Sequence, residues 1–114
     1  MDKDMAADLY RVAREVAEAL AEFGEQYDDM VRGAEEGETW TPPVIAQYEA
    51  MMAADRELFL GYLAQGRRWQ AEAALSPYQQ AVLNKLLADA AAALPRIERL
   101  AQLVPTLPTA PEAP

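Results

Sequence analysis

The chain has 114 residues, ten basic and nineteen acidic side chains for a net charge of −9, no histidine, no cysteine, one serine (Ser76) and one asparagine (Asn84). That composition excludes disulfides and histidine or cysteine metal centres, and it removes the usual general base and nucleophiles from any catalytic constellation. The length suits one domain with one core, and the acidic balance argues against direct binding of nucleic acid or anionic lipid, both of which need cationic surface.

Alanine is abundant and β-branched residues are few, so local propensity favours helix almost throughout. The expected fold class is all-α, a small antiparallel bundle of three main helices plus one short helix. Leu9, Ala13, Val16, Leu20, Phe23, Tyr27 and Met30 step by three and four residues, which predicts an amphipathic helix over 4–32. Asp2 or Asp4 can cap its start. At its end Arg32 supplies a cationic last turn and Gly33 a residue able to adopt the left-handed cap. Two glycines with Glu35, Glu36 and Glu38 make the stretch from Gly33 to Trp40 an exposed loop.

Thr41 then reads as an N-cap with Pro42 at the first helical position, and Trp40 can close over Ile45 as a hydrophobic staple. Ile45, Tyr48, Met52, Phe59 and Tyr62 or Leu63 predict a second helix over 42–65, terminated by Gly66. Residues 67–75 form the expected short helix, with Trp69 as a core anchor covered by Arg67 and Arg68. Ser76-Pro77-Tyr78-Gln79 is a capping box with proline at the first position. Val82, Leu86, Ala90, Ala93 or Leu94, Ile97, Ala101 and Val104 keep helical phase across Pro95 and predict a kinked helix over 77–103. The run Ala90 to Ala93 lacks bulk and lets another helix approach closely.

Prolines at 105, 108, 111 and 114 repeat at the polyproline II period. Residues 1–104 are accordingly expected to form the domain and 105–114 a disordered, flexible tail that packs little and contributes little to stability.

One feature of the surface stands out as a candidate site. Glu15, Glu18, Glu22, Glu25 and Asp29 form a carboxylate row along the first helix, away from its apolar stripe. Residues 1–38 hold twelve acids against four bases, and the rest of the chain seven against six, so nearly all the net charge is local. The simplest role of such a row is a solvated face; the functional role is a docking surface for a partner with a basic surface. The row lacks the turn and ligand pattern of a calcium loop, and no metal or cofactor is expected.

These features together point to a non-enzymatic protein-binding module, an adaptor, secretion-type chaperone or inhibitor. A helical hairpin with a mobile C-terminal segment is similar in layout to the flagellar and type III export chaperones, and that likeness covers architecture only. The alternative is a phage or mobile-element inhibitor that acts as an acidic decoy of nucleic acid on a host defence or transcription protein. The first residues, Met1-Asp2-Lys3-Asp4, do not read as a secretory signal, and no apolar run reaches the roughly 18–20 residues of a membrane span. A cytoplasmic location without membrane contact is therefore expected. Heptad-like spacing in the first helix exceeds what a small bundle needs, so a homodimer that covers the surplus stripe is expected too.

Overall fold

The computed structural model describes residues 1–109. They form α1 (Lys3–Glu35), α2 (Pro42–Glu72) and α3 (Pro77–Leu103), followed by a 3-10 turn over Val104–Thr106. At about 1.5 Å per residue these helices are some 40–50 Å long, which accounts for an elongated body of 60 × 22 × 18 Å.

The start of α1 follows from its cap, where the Asp2 carboxylate accepts the Met5 N–H at 2.8 Å. Its end corrects the expectation for Gly33. That residue remains helical and buried, and a Cβ there would stand 2.7 Å from Glu38 Oε2 and 3.1 Å from Trp40 Cζ2, so its use is close approach rather than a left-handed turn. Gly37 takes the left-handed conformation instead, at φ +73°. The Glu38 N–H donates to the Gly33 carbonyl at 3.0 Å and the Gly37 N–H to the Ala34 carbonyl at 3.2 Å. Those two bonds are the Schellman pattern, displaced one helical turn beyond the first available glycine.

A second correction concerns Gly66 and the short helix over 67–75. α2 runs unbroken from Pro42 to Glu72, with Gly66 buried inside it. A Cβ at Gly66 would meet Leu87 Cδ2 at 2.6 Å and Leu86 Cδ2 at 3.1 Å, so this glycine admits α3 rather than ending α2. Trp69 lies on the same helix and is buried. At the start of α2, Thr41 occupies the cap position without a side-chain hydrogen bond, and Trp40 packs edge-to-face on Tyr48 with ring centroids 5.3 Å apart.

α3 opens with the capping box, in which the Gln79 N–H donates to Ser76 Oγ at 3.2 Å and the Ser76 N–H to Gln79 Oε1 at 3.0 Å. The helix continues through Pro95, which is exposed. Its buried stripe is Leu83, Leu86, Ala90, Ala93, Ile97 and Leu100; Val82 and Ala101, expected in the core, lie beside it. The buried set steps by three and four throughout, a single heptad-spaced seam, and Val82 and Ala101 each stand one position off it.

Ala90 and Ala93 are completely buried and keep the middle of α3 thin, whereas Phe23 of α1 and Phe59 of α2 meet edge-to-face at 6.0 Å. Small side chains therefore draw α1 and α2 onto α3, and aromatic rings fill the wider gap between α1 and α2, which approach one another at few places.

The expectation of an unpacked tail from Pro105 onward is corrected for residues 105–109. Val104 and Leu107 are buried, Thr106 Oγ1 donates to the Leu103 carbonyl at 2.6 Å, and the Trp40 N–H donates to the Pro108 carbonyl at 2.8 Å. A proline period of three sets an extended backbone, but it leaves Leu107 free to dock. The remainder of that expected tail, residues 110–114, lies outside the described residues.

Candidate docking surface on α1 and α2

The apolar stripe of α1 turns inward: Leu9, Val12, Val16, Phe23 and Met30 are buried in the core. Ala13, Leu20 and Tyr27, the other members of the stripe on which self-association was expected, are half-buried. What α1 leaves outside is carboxylate. Glu18, Glu22, Glu25 and Asp29 are exposed and Glu15 is half-buried.

Only the ends of the row are neutralised. Arg11 donates to Glu15 at 2.9 Å and to Asp8 at 3.4 Å, and Arg32 pairs with Asp29. Among the described residues, Glu18, Glu22 and Glu25 have no ion pair. At 100° per residue the row also spreads around the helix: Glu15, Glu22 and Asp29, seven apart, follow the edge nearer α2, while Glu18 and Glu25 turn further into solvent. The five residues therefore form a band with two edges.

On the inner edge the structure adds residues that sequence reasoning missed. Asp55 of α2 is half-buried, and its carboxyl is pushed above the usual carboxylate range, first by burial and then by the negative charge of Glu22. Tyr62, one heptad further along α2, is raised as well, by burial first and then by Glu15, with Arg11 opposing. Met51 and Leu58 flank them and remain 38% and 42% exposed. Positions 51, 55, 58 and 62 step by four, three and four, which makes one stripe on the flank of α2 beside α1. A signal for it existed: α2 carries apolar bulk at Met51 and Leu58, one heptad apart, in addition to the stripe that its core needs.

The other expected features fall elsewhere. Arg67 and Arg68 are exposed beside Trp69, and Arg68 Nη2 donates to Gln65 Oε1 at 2.7 Å. Between α2 and α3 lies an open cleft of about 390 Å³ that includes Met52, Ala53, Arg56, Ile97 and Val104. The Arg96 guanidinium stands 5.8 Å from the ring centre of Tyr27, a cation–π contact that ties α3 to α1. Among the described residues no three acidic side chains converge as a metal site, and no helix is long and apolar enough to cross a membrane.

Comparison of the chain with protein-family models, with curated proteins and with solved structures finds no match in any of the three.

Proposed function

We propose that this chain is a non-enzymatic protein-binding module that docks a basic protein partner on the carboxylate band of α1. One observation carries the reading: Glu18, Glu22 and Glu25 present unpaired charge on the outer side of a helix whose apolar stripe packs on the core. A charged surface held on a long, packed helix is pre-organised, and its field speeds encounter with a cationic partner while rejecting acidic ones. An adaptor, a secretion-type chaperone or an inhibitor could use such a surface, and the cytoplasm is the location that suits such a module.

The proposed bundle runs up, down and up. Gly66 beside Leu86 and Leu87, with Met52 and Ile97 on one cleft, supports opposite directions for α2 and α3. Tyr10 beside Tyr78 and Tyr27 beside Arg96 support a common direction for α1 and α3.

The test is a capture experiment from the lysate of the source cell with the wild type and with Glu18→Lys, Glu22→Lys and Glu25→Lys combined. The triple variant should keep the helical circular dichroism spectrum and lose the proteins that the wild type retains. Those proteins should elute as salt rises past 0.15 M, where the screening length falls below about 8 Å. Retention of the same proteins by the triple variant would refute the assignment.

A further inference from the structure

The inner edge of the band and the flank of α2 together form a seam in which acidic and apolar groups alternate. Beside the Phe23–Phe59 contact, where the two helices meet with ring centroids 6.0 Å apart, α1 contributes Glu15 and Glu22, and α2 contributes Met51, Asp55, Leu58 and Tyr62. We propose that this seam seats one amphipathic, basic helix of a partner protein, with its apolar side on Met51 and Leu58 and its cations on Glu22 and Asp55. The inference rests on the docking reading above and names the chemistry of the partner.

Charge selects this occupant over the others. A second copy would bring the same carboxylates to the seam on a body of charge −9, and nucleic acid or an anionic membrane would meet like charge. Charge alone does not account for Met51 and Leu58, which sit one heptad apart and outside the core that Met52 and Phe59 complete. An exposed pair at that spacing fits the grooves of another helix, and an extended strand would need a sheet edge to pair with. Among the described residues neither Asp55 nor Glu22 has an ion pair, so both carboxylates are available to an arriving lysine or arginine. From Met51 to Tyr62 the seam runs for about 16 Å, three turns of a partner helix.

The experiment uses the full chain and three fluorescein-labelled peptides of about 15 residues. The first has leucines at three-four spacing with lysines on both flanks, the second is a scramble of the same composition, and the third carries glutamate for lysine. Fluorescence anisotropy should show the patterned peptide binding at least about tenfold more tightly than the scramble, with no binding of the acidic one. Leu58→Ser, a change at an exposed position, should weaken the patterned peptide about tenfold and leave the circular dichroism unaltered. Amide shifts should fall on residues 15–29 and 51–62. Equal binding of patterned and scrambled peptides, indifferent to Leu58→Ser, overturns the seam and leaves docking by charge standing. If neither basic peptide binds, both readings fall. A dimer in sedimentation that Leu58→Ser dissolves assigns the seam to a second copy and overturns the proposal as well.

Discussion

Trp40 and Pro108, far apart in sequence, are joined through the main chain: the Trp40 N–H donates to the Pro108 carbonyl at 2.8 Å, and Trp40 and Thr109 form a short parallel bridge. The contact carries the chain beyond α3 back to the connection between α1 and α2, and it seats Leu107 where only 6% of its surface remains exposed. Removal of residues 105–114 therefore uncovers a leucine site worth about 1.5–3 kcal/mol and leaves the Trp40 N–H without its partner. The thermal midpoint should fall by several degrees, and Trp40 emission should shift to the red. An unchanged midpoint would show that this segment contributes nothing to the fold. Leu107→Ala alone should reproduce most of the loss.

Two glycines on α2 should respond in opposite directions to the same change. Gly61 is exposed and an added methyl meets nothing within 4 Å, so Gly61→Ala should stabilise the helix by up to about 1 kcal/mol. At Gly66 the methyl would stand 3.1 Å from Leu86, which is only 1% exposed and cannot yield. Overpacking there costs about 1–3 kcal/mol, more than the propensity gain, so Gly66→Ala should lower stability. Urea denaturation of both variants decides it, and a stabilised Gly66→Ala would contradict the close approach of α3.

Leu86 and Leu58 separate core from surface. Truncating Leu86 to alanine should cost about 2–5 kcal/mol, because a buried side chain in a packed core leaves a cavity. Leu58, 42% exposed, should lose far less on the same truncation. Comparable losses at the two positions, measured as denaturant midpoints, would place Leu58 in the core and remove it from the seam.

Asp55 gives a pH dependence with a definite sign. Its carboxyl titrates higher in the folded chain than in the unfolded one, because burial and Glu22 disfavour the charged form. Between those two values the folded state binds more protons, so this group's contribution falls as pH rises and is at its least favourable at neutral pH. Asp55→Asn should therefore raise the thermal midpoint at pH 7 and confer no advantage at pH values below the ordinary carboxylate range. Thermal scans from pH 3 to pH 7 check this, and a variant less stable than the wild type at pH 7 would refute the sign.

Local chemistry made much of the helix framework legible. The capping box at Ser76 and Gln79 and the three-four spacing of Leu9, Ala13, Val16, Leu20 and Phe23 act within a few residues, so position in the chain is enough to read them. The carboxylate row was legible for the same reason. Its partner stripe on α2 was not: that Asp55 faces Glu22, or that Leu58 stays outside, depends on how α1 and α2 are rotated about their axes against α3.

The sequence by itself determined that the chain is helical, where most helices start, and that its charge is gathered near one end, because propensity, capping and composition are local quantities. Tertiary structure decided what each glycine and the proline-rich segment do. Gly33 and Gly66 carry the same residue signal as a helix stop, yet each stays helical, and its missing side chain makes room for another part of the chain, Trp40 in one case and Leu86 with Leu87 in the other. Leu107 docks for a related reason: the end of α3 and Trp40 lie where an extended backbone can reach both burial and a hydrogen bond, and no local pattern in the sequence encodes that distance.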